Sequence, residues 1–206
     1  MRTLVLAFAL TASLCAQGLP PRTAPTEYQV VGKAGDVTLA ADFVRHSVPT
    51  AQGTLSTEEY VVVELAMYGP PEAKTTISMD DFSLRINGKK QALKSQPYGL
   101  VLTSIKDPEW VPPEGAPAKG SKGGLTSGGG GGDKNSNDPP PVVKVPIELQ
   151  RAMAQHTQKA ALPLGERTLP QAGLLFFQYR GKAQNITSVE LLYSGAAGKA
   201  TLNLQP

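Results

Sequence analysis

The chain has 206 residues, of which 40% are hydrophobic and 18% charged, and its formal net charge is +3. Once a leader and a glycine- and proline-rich stretch are set aside, about 160 residues remain, which suffices for one domain with one core but not for two. The near-neutral charge excludes the dense basic face that nucleic-acid binding requires, so we expect no nucleic-acid partner.

The first residues have the pattern of a secretory signal peptide. Arg2 supplies a positive charge, and an uncharged apolar run extends from Leu4 to Leu14. Such a run is too short to span a bilayer, so the sequence predicts a signal peptide at residues 1–16, with cleavage after Ala16. We therefore expect a secreted or periplasmic protein without a transmembrane segment.

Cys15, the only cysteine of the chain, leaves a second interpretation open. A lipid attached to this cysteine would anchor the protein to the envelope. Leu14 stands where a bacterial lipidation motif has Gly, Ala or Ser, which favours loss of Cys15 with the leader. The mature chain would then contain no disulfide, no thiol nucleophile and no cysteine-bound metal.

Residues 17–27 contain Pro20, Pro21 and Pro25 and show no apolar periodicity. This composition predicts a flexible tether. The tether leads into a single domain at residues 28–206.

Strands dominate the first part of that domain. Apolar residues alternate with polar ones over residues 36–43, 60–68 and 81–86, which predicts strands with one face in a core. Asn87-Gly88 then predicts a type I′ turn and a hairpin into residues 91–94. Residues 99–105 are rich in β-forming side chains and predict a further short strand.

The composition changes abruptly in the middle of the chain. Residues 112–141 are dominated by Gly and Pro and include an unbroken glycine run at 128–132. Because such a stretch buries too little apolar area to offset its ordering entropy, it predicts a disordered insertion. The following residues, about 147–161, predict the one convincing helix, with Leu149, Met153, His156 and Ala160 on one face.

The last third returns to strands. Apolar residues fill both faces at 174–179, which predicts a central strand, and alternation resumes at 187–193 and 199–204. Many short strands with a single helix predict an antiparallel immunoglobulin-like β-sandwich.

The strand motifs carry a family resemblance. The segments Tyr60-Val-Val-Val-Glu-Leu65, Asp81-Phe-Ser-Leu-Arg-Ile-Asn-Gly88 and Gly173-Leu-Leu-Phe-Phe177 resemble those of secreted bacterial immunoglobulin-like domains of unknown role. The resemblance covers about residues 28–105 and 172–204. It implies an extracytoplasmic binding or structural module without catalytic apparatus.

Few residues could carry catalysis. The two histidines, His46 at the end of a predicted strand and His156 in the predicted helix, stand in no metal-binding or nucleophile motif. We therefore predict a non-enzymatic protein without catalytic residues, cofactor or metal. The alternative is a secreted enzyme whose site, with His46 and His156, assembles only in three dimensions.

Trp110 is the candidate partner contact. It is the only tryptophan and lies near Pro108, Pro112 and Pro113 on a stiff segment. Large aromatic side chains on such segments often anchor interfaces. The favoured alternative is that Trp110 covers an exposed sheet edge or face of its own domain, because an exposed indole on a free linker would be a liability. The expected partner is another envelope or secreted protein, and the expected role is that of an interaction or structural accessory module.

Overall fold

A computed structural model describes residues 18–111 and 145–206 of the chain. The predicted leader at residues 1–16, with Cys15, lies outside the described residues. The predicted insertion at about residues 112–141, with its glycine run, also lies outside them.

The described residues form thirteen strands and two α-helices. The strands are β1 (Val30–Ala34), β2 (Val37–Arg45), β3 (Ser47–Thr50), β4 (Gly53–Thr57), β5 (Tyr60–Tyr68), β6 (Lys74–Ile77), β7 (Phe82–Ile86), β8 (Leu93–Gln96), β9 (Ile105–Lys106), β10 (Gly165–Thr168), β11 (Gln171–Gln178), β12 (Val189–Gly195) and β13 (Gly198–Leu204). The helices are α1 (Tyr98–Val101) and α2 (Ile147–Ala160). Short 3₁₀ turns lie at Pro25–Glu27, Met79–Asp81 and Ala183–Asn185.

Eight strands join in one antiparallel sheet in the order β1-β2-β5-β11-β8-β7-β12-β13. Its two edge strands approach each other. A Cβ added to Gly32 of β1 would lie 3.3 Å from Leu202 of β13, and one added to Gly35 would lie 2.6 Å from the Ala197 carbonyl oxygen. The sheet is therefore nearly closed, as a barrel is.

This arrangement confirms a mainly antiparallel β protein with one long helix. The two separate packed sheets of an immunoglobulin-like sandwich are not confirmed, because the main strands belong to one curved sheet. Two small sheets accompany it, a ribbon of β6 and β10 and a three-stranded sheet in the order β3-β4-β9.

The interior of the curved sheet is the main core. Alternate residues of its strands meet there, as the period-two pattern predicts, and the largest fully buried side chains among them include Leu39, Leu65, Phe82, Leu84, Phe177, Leu191 and Leu202. A side chain of this size contributes about 1.5–3 kcal/mol when it leaves water. This interior therefore dominates the stability of the fold.

A second apolar cluster lies on the outer face of β5 and β11. Val62, Leu174 and Phe176 point outward from these strands and pack with Met153 and Ala160 of α2. The predicted helix is confirmed in position and in its apolar face. Because β11 is covered on both sides, its continuous apolar run is explained, and the prediction of a central strand is confirmed.

The hairpin prediction is confirmed and one strand prediction is wrong. Asn87 and Gly88 have φ values of 53° and 63°, as a type I′ turn requires, and β7 pairs with β8. Residues 99–105 form no strand over most of their length. Helix α1 begins after Pro97 and buries Val101, and only Ile105 enters β9.

The segment predicted to be a flexible tether lies against the sheet. The Gly18 N–H donates to the Lys159 carbonyl (2.7 Å), and the Leu19 N–H donates to the Ala172 carbonyl (3.0 Å). The segment continues into the 3₁₀ turn before Tyr28, which is buried. Backbone and side-chain contacts thus hold residues that composition alone assigns to a linker.

Within the part of the chain that the structure describes, no helix is both long and apolar enough to cross a membrane.

Candidate functional site

His46 lies at the junction of β2 and β3, where Arg45 adopts a φ of 58° and turns the chain. Its Nδ1 is 2.7 Å from the Tyr60 carbonyl oxygen, and its Nε2 is 3.2 Å from the Gly181 carbonyl oxygen. The ring also stacks on Tyr179 at 6.4 Å between centroids. His46 thus ties β2 to β5 and to the loop after β11.

His156 has different surroundings. It is half-buried on α2 and lines a cleft of about 150 Å³ between this helix and the β3–β4 hairpin. Asp107, Glu109 and Thr50 line the same cleft. Of the described residues that line it, none is His46, so the two predicted catalytic candidates do not share a cavity.

The cleft holds polar groups but no metal cage. In the described ranges, no group of three or more His, Cys, Asp or Glu side chains is placed to hold a metal ion. The Asp107 carboxylate accepts from the Glu109 backbone N–H at 2.9 Å, which shapes the turn that brings Glu109 to the cleft. This arrangement offers acid and base groups to a small polar molecule.

Trp110 follows directly after Glu109. Its backbone N–H donates to the Asp107 carbonyl at 3.3 Å, and its side chain is half-buried. The next residue, Val111, is 79% exposed. Trp110 therefore lies at the surface beside the cleft and is partly exposed.

A charged cluster that sequence patterns do not indicate lies on the outer face of β2 and β5. One Nη of Arg22 is 2.6 Å from an Asp42 carboxylate oxygen and 3.2 Å from a Glu64 carboxylate oxygen. The Arg22 guanidinium also lies 4.0 Å from the centre of the Tyr28 ring. Asp42 and Glu64 are direct cross-strand partners, so one arginine faces two adjacent carboxylates.

Burial governs the proton affinity of this cluster. It raises the pKa of Glu64 above the ordinary value, the neighbouring Asp42 charge adds to the rise, and Arg22 opposes it. Burial also raises the pKa of Tyr68, whose hydroxyl donates to the Arg22 carbonyl oxygen at 2.8 Å. The cluster fastens the N-terminal segment to the sheet by charge and by hydrogen bonds.

An apolar cavity lies where β8 and β11 separate. The two strands pair only at Ser95–Phe177 and Gln96–Phe176, after which the chain leaves β8 through Pro97. The end of α2 closes the opposite side, where the Leu162 N–H donates to the Leu174 carbonyl at 3.0 Å. This geometry leaves a pocket of about 180 Å³, which we call the apolar pocket.

The walls of the apolar pocket are hydrocarbon. They come from Met79, Pro97, Ala161, Leu162, Leu164, Leu174, Leu175 and Phe176, and the polar contributors are Gln96, Gln158 and Tyr98. Among these described lining residues there is no histidine, carboxylate, lysine or arginine. The pocket is therefore built to hold an apolar group and to offer hydrogen bonds to it.

None of the three residues that the sequence singles out lines this pocket. Its walls come from the segments around Met79, Tyr98, Ala161 and Leu174, which are far apart in the chain. The sequence signals that exist are an apolar residue, Leu164, just before a strand and the continuous apolar run of β11. Neither signal predicts a cavity unless the three-dimensional fold is known.

Comparison of the chain with protein-family models, with curated proteins and with solved structures finds no match.

Proposed function

We propose that this protein is a non-enzymatic interaction or structural accessory module of the secreted or periplasmic space, and that it binds another envelope or secreted protein. The observation that carries the proposal is the placement of His46. Both of its ring nitrogens lie against backbone carbonyl oxygens, at 2.7 and 3.2 Å, and the ring stacks on Tyr179, so main-chain and aromatic groups occupy the space around both nitrogens. A general base needs a ring nitrogen that a substrate can approach to within hydrogen-bond distance.

The surface beside Trp110 supports a binding role. The side chain is half-buried and the adjoining Val111 is exposed, so apolar area is presented on a backbone that hydrogen bonds hold in place. Interface anchors have this character, because a rigid aromatic group buries much area at little entropic cost. The resemblance to secreted bacterial immunoglobulin-like domains stays part of the proposal, supported by the antiparallel strand pattern.

The location is part of the same proposal. The positive charge of Arg2 and the apolar run from Leu4 to Leu14 support export of the protein and removal of residues 1–16. The alternative of a lipid anchor at Cys15 predicts an intact, acylated cysteine. Intact mass and N-terminal sequencing of the protein from its native envelope separate the two forms.

A second candidate function is enzymatic, and the cleft around His156 favours it. Asp107 and Glu109 line the same cleft, so one half-buried histidine and two acidic residues border one small volume. Such a set can exchange protons with a bound molecule. This alternative differs from the earlier expectation in that it uses His156 without His46.

The decisive experiment compares three variants of the exported protein in the native envelope. Trp110→Ala removes the proposed anchor, Leu100→Ala removes another exposed apolar side chain, and His156→Ala removes the catalytic candidate. We expect a cross-linked partner whose affinity falls about tenfold or more with Trp110→Ala and is unchanged with the other two. Circular dichroism confirms that each variant is folded.

Two results would overturn the proposal. One is a partner complex that Trp110→Ala and Leu100→Ala weaken equally, since the indole would then have no special place in binding. The other is a turnover of an envelope substrate that folded His156→Ala loses, which would establish the enzymatic alternative.

A further inference from the structure

The volume of the apolar pocket limits what it can hold. At about 180 Å³ it is slightly larger than an engineered apolar cavity of about 150 Å³ that binds benzene. It is well below the roughly 300–1,000 Å³ of sites for drug-sized ligands. One six-membered ring fits this volume, whereas a nucleotide or a long acyl chain exceeds it.

The lining also indicates the chemistry of that ring. The walls formed by Leu162, Leu174 and Phe176 carry no hydrogen-bonding side chain and favour an uncharged apolar body. The polar residues that line it are Gln158, Tyr98 and Gln96, and the Gln96 side-chain amide also donates to the Lys94 carbonyl oxygen at 3.4 Å. Amides and phenols both donate and accept hydrogen bonds, so they suit a neutral hydroxyl better than a formal charge.

The pocket is held open by backbone contacts. On one side Leu162 is bonded to Leu174, and on the other β8 is bonded to β11 through residues 95 and 96. Collapse of the pocket would require one of these connections to break. A ligand therefore finds a cavity that is already formed, which lowers the entropic cost of binding.

We propose that the apolar pocket binds a single phenolic ring, supplied by a small monocyclic phenol. The ring contacts Leu162, Leu174 and Phe176, and its hydroxyl faces the amides of Gln96 and Gln158 or the Tyr98 phenol. This inference goes beyond the proposed function, because Trp110 does not line the pocket.

The test uses the purified mature protein with phenol, benzene and 1-octanol as probes. Methyl-labelled NMR spectra report binding at Leu162 and Leu174, and titration gives the dissociation constants. Leu164→Gln makes one wall polar at a position that is already 37% exposed, so the fold should tolerate the change. Leu100→Gln is the matched control, because it makes the same change at an exposed leucine outside the lining.

We expect saturable binding of phenol, with shifts at the Leu162 and Leu174 methyls and weaker binding of benzene. Leu164→Gln should raise the dissociation constant of phenol about fivefold or more, since it removes apolar contact, and Leu100→Gln should leave it unchanged. Absence of saturable phenol binding, equal effects of the two variants, or tighter binding of 1-octanol at the same methyls would each overturn the proposal. None of these results bears on the Trp110 partner complex, which is measured separately.

Discussion

Replacing Leu84 by alanine tests whether the interior of the curved sheet dominates stability. Leu84 lies in the middle of β7, pairs with Leu191 and Leu93 on the neighbouring strands, and is 0% exposed. Removal of a fully buried leucine side chain loses its transfer free energy and leaves a cavity, which together cost about 2–5 kcal/mol. In a domain of this size that loss lowers the melting temperature by about 4–20 °C.

Leu100→Ala is the matched control for this prediction. The same three carbon atoms are removed, but the side chain is 53% exposed on α1, so we expect a loss under about 1 kcal/mol. Urea unfolding followed by circular dichroism gives both free energies, provided that the slope of the unfolding curve is the same for both variants. Equal losses for Leu84→Ala and Leu100→Ala would refute the assignment of the core.

Two further predictions concern Glu64, on the outer face of the sheet, and Gly173 of β11. Glu64→Gln should flatten the pH dependence of the free energy of unfolding above about pH 4.5, because burial raises the pKa of Glu64 in the folded state. The stability that this raised pKa contributes is present below the ordinary pKa of a glutamate and is lost as the pH rises through the folded-state pKa. Identical pH profiles of the unchanged protein and of Glu64→Gln would contradict this prediction. Gly173→Ala should cost about 1–3 kcal/mol in urea unfolding, because its Cβ would lie 2.6 Å from the Leu162 backbone nitrogen. Gly99→Ala, whose Cβ meets nothing within 4 Å, should change stability by less than about 0.5 kcal/mol, and equal losses would count against the close approach.

Side-chain alternation accounts for the part of the fold that sequence predicts well. Val37, Leu39 and Phe43 are buried because every second residue of a strand faces the same side. The turn at Asn87 was predictable for a local reason too, since few residues tolerate positive φ. Its side-chain oxygen also accepts from the Thr187 N–H at 2.8 Å, a contact across a hundred residues that no local pattern contains.

Closure of the sheet was not predictable from the same pattern. Alternation states which face of a strand is apolar, but it does not state how strongly the sheet curves or where its edges meet. Here β1 and β13 approach through Gly32 and Leu202, and these residues are far apart in sequence. A sandwich and a nearly closed sheet therefore have the same strand signature.

Short and polar segments were predicted least well. Residues 98–101 contain β-forming side chains, but Pro97 precedes a helical turn that buries Val101. In the N-terminal segment the prolines suggest a tether, whereas Arg22 finds its carboxylate partners 20 and 42 residues away. Such contacts depend on tertiary proximity, which composition does not encode.

The two faces of β11 explain why fold and candidate site can be tested separately. Phe177 points into the interior core, whereas Leu174 and Phe176 point outward, pack against α2 and line the apolar pocket. The sequence shows one continuous apolar run, and only the position of the strand assigns its residues to two roles. Because the outward side chains also support α2, a change at Leu174 would mix stability with binding. Leu164 contributes to the pocket from a partly exposed position, so binding measured with Leu164→Gln reports on the pocket with the least disturbance of the core.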